Sequence, residues 1–213
     1  RDIVVRFRKN EPERSNVPNM TDITFGVVGK DYVLMASDTT IARSIFKMKN
    51  NQNKIRTLDN HILMAWNGPV ADSINFSDYI ERNLELYRFR NHSSLSVHAG
   101  AYYIRNELAT AIRSRSPYQV NILLGGVDKN GPALYFMDYL GSIMKVNTGI
   151  QGYAQHMTYS LMDKQWHEDM SLEEGIALIK DCIAEMKKRF LISFDDTTFQ
   201  IVDKDGVRVL DNP

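Results

Sequence analysis

The chain has 213 residues, 43% of them hydrophobic, with 26 Lys and Arg balanced by 26 Asp and Glu. A net charge of zero removes the overall electrostatic case for nucleic acid or an anionic membrane as the main partner. The single cysteine, Cys182, excludes an internal disulfide and fits a reducing compartment. No apolar run approaches the ~20 residues of a membrane-spanning helix, and no linker or charge block divides the chain, so one domain with a sizeable core is expected over 20–213.

The stretch 1–19, with five basic and three acidic residues, lacks the apolar core of a secretory signal. Two readings of it stay open: Met20 is the natural start, or the stretch is a retained leader touching a neighbour. The expected location is cytosol and nucleus.

Segments 23–29 and 32–38 are rich in β-branched and apolar side chains and are joined by Gly29-Lys30-Asp31, a hairpin signature. Further strands are expected at 41–47, 54–57 and 61–66, the last closed by Asn67-Gly68-Pro69. Phe76, Ile80, Leu84 and Tyr87 then recur at helical spacing, and Val97, Ala101, Ile104, Leu108 and Ile112 repeat the pattern over 94–115. Strand character returns at 120–128, 133–141 and 142–147. VNILLGG is apolar throughout, as a strand buried on both faces must be. A short helix is expected at 152–162. A longer one starts at Ser171, where Ser171 and Glu174 form a capping box ahead of Leu172, Ile176, Ile179, Ile183, Met186 and Phe190. A last hairpin, TTFQIVDKDGVRVL, turns at Asp205-Gly206.

The order of strands, two helices, strands, two helices, strands is that of an α+β protein. Its apolar faces are all buried if it forms a four-layer α-β-β-α sandwich. Gly125-Gly126 and Gly149-x-x-Gly152 lack the GK[ST] ending of a phosphate loop and read as chain turns. His167-Glu168-Asp169 reads as a solvated loop, since neighbouring side chains diverge and no second ligand group has metal spacing; no cofactor or metal is expected. Cys182 reads as a structural thiol within the last long helix. Arg105, Arg113 and Arg115, interleaved with Glu107, read equally as a solvated helix end or as a salt-bridged subunit contact.

DYVLMASD (31–38), IRSRSPYQVNILLGG (112–126), GPALYFMDYLG (131–141) and IVDKDGVRVLD (201–211) resemble the proteasome β-type subunits, and among them the fourth member of the β ring. The resemblance runs from Asp22 to Asn212. It implies the N-terminal-nucleophile hydrolase fold and a place in a seven-membered β ring. Partners would be β subunits of the same ring, the opposite β ring and the adjacent α ring, around a chamber that receives unfolded protein substrates.

Catalytic members of that family attack with an N-terminal threonine surrounded by an aspartate, a lysine, a serine and a second aspartate. Asp38 and Lys54 match the first aspartate and the lysine. The family's spacing then puts Asp22 at the nucleophile position, Tyr153 at the serine and Phe190 at the second aspartate. The resemblance therefore implies a non-catalytic subunit of a threonine-peptidase complex, with Asp38 and Lys54 as remnants. The rival is an active peptidase using Thr21 after trimming of Met20. Moving Thr21 into register would turn every side chain of the following strand to its other face. Thr24 would need still more trimming and sits inside that strand. Lys54 itself has two readings: an ion pair with Asp38 that fixes strand register, or a solvated lysine beside a turn.

Overall fold

The computed structural model describes residues 22–43, 46–190 and 196–210. The stretch 1–19, Met20 and Thr21 lie outside the described residues. Strands β1 (Thr24–Val28) and β2 (Tyr32–Asp38) form the first hairpin, followed by β3 (Ile41–Arg43), β4 (Phe46–Lys49), β5 (Ile55–Asp59) and β6 (Ile62–Asn67). Helices α1 (Val70–Asn91) and α2 (Val97–Ala111) precede β7 (Asn121–Asp128), β8 (Gly131–Met137), β9 (Ile143–Val146) and β10 (Thr148–Gln151). Helices α3 (Gln155–Gln165) and α4 (Leu172–Arg189) and the hairpin β11 (Thr197–Asp203), β12 (Gly206–Leu210) complete the chain.

Two five-stranded antiparallel sheets result, in the orders β10-β1-β2-β11-β12 and β5-β6-β7-β8-β9. Period-two alternation assigns each strand's side chains to two different cores. In β2, Val33 and Met35 face the opposite sheet, while Tyr32, Leu34 and Ala36 face α3 and α4. In β7, Leu123 faces the opposite sheet, while Ile122 and Leu124 lie under α1 and α2. Three apolar layers separated by two sheets are the expected α-β-β-α sandwich. Arg56 in β5 ties α1 down through Asp78 and, at 2.8 Å, Glu81, one turn apart on the helix.

The first hairpin, β7 and the capping box fall where the pattern puts them; the Ser171 hydroxyl accepts from the Glu174 amide and the Glu174 carboxylate accepts from the Ser171 amide. Elsewhere the structure departs from the pattern. The strand expected at 41–47 is two short strands, β3 and β4, paired as a hairpin. Strand β10 was not expected: TGIQ is too short and too mixed to signal itself, and it is a strand because β1 pairs with it from Thr24 to Val27. Tyr87 is 38% exposed, beyond the buried stripe that ends at Leu84. The deep face of α4 is turned toward Gly175, Leu178, Ile179, Cys182 and Met186, leaving Leu172, Ile176 and Ile183 at its half-buried flank, because α4 packs on α3 as well as on the sheet.

The glycines differ most. Gly125, Gly126 and Gly149, expected in turns, lie inside strands β7 and β10, and only Gly152 turns the chain. Gly126 is required by close approach: a Cβ there would stand 2.4 Å from the His61 carbonyl oxygen of the paired strand and 2.7 Å from Val97 Cγ2 of α2. Gly126→Ala should therefore lower stability by about 1–3 kcal/mol, since strand β6 or helix α2 must shift to admit one methyl group; a change in urea midpoint inside experimental error would remove the packing role assigned to Gly126.

Candidate functional site

The hydrogen-bond ladder between β1 and β2 ends at Ile23 and Asp38. Asp38 donates its backbone N–H to the Ile23 carbonyl (3.2 Å), and its Oδ1 accepts the Ile23 N–H (2.8 Å), so the carboxylate stands in for a strand carbonyl. Its other oxygen, Oδ2, accepts from Lys54 Nζ at 2.8 Å across sixteen residues. Lys54 lies just before β5, where its carbonyl accepts from the Trp66 amide of β6 (3.1 Å), and its side chain is fully buried. The solvated-lysine reading of Lys54 is thereby excluded.

Lys54 has a second carboxylate. Asp22 Oδ1 lies 2.6 Å from Nζ, closer than Asp38, and the Thr40 carbonyl supplies a third acceptor at 2.8 Å. Three acceptors match the three N–H donors of an ammonium group, which is how a buried lysine stays charged. Asp22 is 3% and Asp38 4% exposed.

Asp22 is fixed from two further sides. Asn67 Nδ2 donates to its backbone carbonyl at 2.6 Å, and the nearby Gly68 amide pulls its carboxyl pKa down. Gly152 closes against it with φ +82°, where a Cβ would stand 1.8 Å from the Asp22 carbonyl oxygen, so neither the turn nor the contact admits a side chain. Next to Gly152, Tyr153 packs its ring on Phe190, the residue that ends α4, with centroids 5.6 Å apart and planes tilted by 49°. The structure thus gathers Asp22, Asp38 and Lys54 into one buried cluster and pairs Tyr153 with Phe190 beside it.

Burial pushes the Asp22 carboxyl up to about 6, against the pull of Lys54 and with a smaller push from Asp38. Burial also raises Asp38, opposed by Lys54 and by the Ile23 and Thr40 amides. The void beside the cluster, lined by Ile23, Phe25, Asp38, Ile183, Met186 and Thr197, measures about 10 Å³, at the lower limit for one water. Thr24, the other early threonine, is fully buried and its hydroxyl donates to Gln151 Oε1 at 3.3 Å. Thr21 lies outside the described residues.

Asp22 as a partner of Lys54, and the Asn67, Thr40 and Gly152 contacts, are absent from the sequence reading, which treated Asp22 only as a replaced position. The one signal for Asn67 was its place in Asn67-Gly68-Pro69 directly after an apolar strand, and that reads as a plain strand end. Cys182 is buried and its thiol is pushed up to about 12, chiefly by that burial, as suits a packing residue. His167 stands exposed 3.7 Å from Glu174, and Arg105 donates to the Gly141 carbonyl at 2.9 Å from within α2.

Two antiparallel sheets between helix pairs, with an aspartate and a lysine gathered at the head of the first hairpin, define the N-terminal-nucleophile hydrolase class of fold. A family profile described as "Proteasome subunit" matches residues 21–202. The chain is 43% identical over 188 residues to proteasome subunit beta type-2-B of Arabidopsis thaliana, covering 88% of this chain and 94% of that one. It is 42% identical over 193 residues to proteasome subunit beta type-4 of Saccharomyces cerevisiae, covering 90% and 98%. To proteasome subunit beta type-2 of Dictyostelium discoideum it is 43% identical over 185 residues, covering 85% and 92%. The chain belongs to the proteasome subunit family, as one of its β-type members, and so to the machinery of protein degradation.

Removing the shared cation should be the most damaging single change at this site. Lys54→Ala leaves two buried carboxylates facing one another and should cost about 3–5 kcal/mol. The expected result is a chain that unfolds at markedly lower urea or fails to enter proteasomes; wild-type stability together with normal incorporation would contradict the role assigned to Lys54.

Proposed function

We propose that this chain is a non-catalytic, structural β subunit of the 20S core particle, needed to complete the β ring and enclose the proteolytic chamber. The supporting observation is the side chain that meets Lys54. Family spacing puts the nucleophile at position 22, and there the ammonium is met by a carboxylate that is buried and salt-bridged. A side-chain carboxyl offers no alcohol hydroxyl of the kind the family's threonine uses as its nucleophile. The serine and second-aspartate positions hold Tyr153 and Phe190, whose rings pack together and offer no carboxylate to a catalytic network.

The surface supports the structural half of the proposal. Phe46 and Met48 on the β3–β4 hairpin are 68% and 67% exposed, and Phe89 on α1 is 65% exposed. Large apolar side chains standing in water mark contact surfaces. In this reading they meet neighbours in the same ring, the opposite β ring and the α ring, substrate proteins are cleaved on other chains within the chamber, and the particle works in cytosol and nucleus.

An electrophile that traps N-terminal threonines, applied to purified proteasomes, should label other β subunits and leave this chain at its unmodified mass. An adduct on Thr21 would make the chain a peptidase. In cells expressing Phe46→Ser with Met48→Ser, incorporation of the tagged chain into full-size particles should fall several-fold, read by size-exclusion of lysate. Undiminished incorporation would remove the hairpin from the contact surface.

A further inference from the structure

The ion cluster does not balance. Two carboxylates, Asp22 and Asp38, share one ammonium, and all three side chains are buried, so full ionisation would leave one uncompensated negative charge in the core. The four carboxylate oxygens are not equivalent. Both oxygens of Asp38 accept hydrogen bonds, from Ile23 N–H and from Lys54. Asp22 Oδ1 accepts from Lys54, whereas Asp22 Oδ2 is buried and has no hydrogen-bond partner among the described residues.

Among the described residues, the charged side chains with the largest effect on Asp22 are Lys54 and Asp38, and the one with the largest effect on Asp38 is Lys54. Around them, β6 and the turn after it contribute the neutral Asn67 amide and the Gly68 N–H, and the turn after β10 contributes Gly152. Helix α4 contributes Ile183 and Met186, while its Lys188 and Arg189 point outward to Glu185.

We propose that in mildly acidic solution the folded chain carries one proton on Asp22 Oδ2, so that the Asp22–Lys54–Asp38 cluster is then neutral and the folding of this subunit is coupled to pH. The proton lodges there because Oδ2 is the one carboxylate oxygen of the four that no donor already occupies. Burial favours the same assignment, holding the Asp22 carboxyl at about 6 against an ordinary 3.8. The folded chain therefore binds this proton more tightly than the unfolded chain does. Its contribution to stability is largest below 3.8, falls as pH rises to about 6, and is level above that. This direction is opposite to that of an aspartate stabilised as an anion.

The amide variants separate the two carboxylates. Asp22→Asn reproduces the neutral acid: its oxygen still accepts from Lys54, and its NH₂ takes the place of the Oδ2 hydroxyl. Asp38→Asn cannot do the same, because both oxygens of Asp38 accept and an NH₂ would face either Lys54 or the Ile23 N–H.

The test uses proteasomes assembled with this one chain carrying carboxyl-labelled aspartate, followed by isotope-edited infrared spectroscopy across pH. A protonated-carboxyl band should persist well above 3.8, disappear with a midpoint at about 6, and be missing in Asp22→Asn. In the full chain, Asp22→Asn should lose the decline in thermal midpoint over that pH interval, while Asp38→Asn should be destabilised at every pH. Absence of the band in the wild type above the ordinary aspartate range would overturn the assignment, as would a band that survives Asp22→Asn. The proton sits there whether or not the chain cleaves peptides, so the infrared band and the threonine-directed labelling can fail separately.

Discussion

A lysine ammonium buried between two aspartates is the constraint around which this molecule is arranged. Taking a charge out of water costs several kcal/mol unless every donor is met, and Lys54 meets its requirement with three groups from two stretches: Asp22 ahead of β1, and Asp38 at the end of β2 with the Thr40 carbonyl two residues beyond it. Lys54 leads into the second sheet, while both aspartates belong to the first. The cluster therefore joins the two sheets at one end by charge, where elsewhere they are joined by the apolar layer of Val33, Met35, Leu63 and Leu123.

The neighbouring contacts follow from keeping that cluster dry and in place. Asn67 holds the Asp22 backbone, Gly152 gives up its side chain so that the chain can pass against it, and Tyr153 and Phe190 stack beside it. Each would be an odd choice by itself: a buried amide, a positive φ, an aromatic pair at the end of a helix. Together they hold the backbone around the cluster in place. Removing one member of such a cluster strands the charge of the others, whereas the complete set is tolerable. The cost of breaking the set is thus a structural reason for Lys54 and Asp38 to stay together.

Much of the fold was legible because local pattern and burial agree. The alternation in β2, the double-faced apolarity of β7 and the Ser171 capping box each express their environment within a few residues. What escaped depends on partners distant in sequence. Strand β10 is a strand because β1 lies next to it, and Gly125 and Gly126 look like a turn unless Val33 and the His61 carbonyl are known to crowd them. The site divides the same way. The resemblance to the proteasome β-type subunits brought out Asp38 and Lys54 and singled out Asp22, Tyr153 and Phe190. It gave no hint that Asp22 and Asp38 share one cation, or that Tyr153 meets Phe190 across thirty-seven residues, because distances between side chains on different strands are set by the sheet and not by the count along the chain.

Interior and exterior therefore answer to different requirements. The hydrogen bonds of the charge cluster come from within the chain, and its packing draws on residues as distant as Ile183, Met186 and Thr197. The outer surface is not self-sufficient in this sense. A chain with no net charge has little electrostatic repulsion to keep copies apart, yet it leaves Phe46, Met48 and Phe89 in water. Neither property suits a protein that works alone at high concentration, and both are satisfied at once if those side chains are covered by other proteasome subunits.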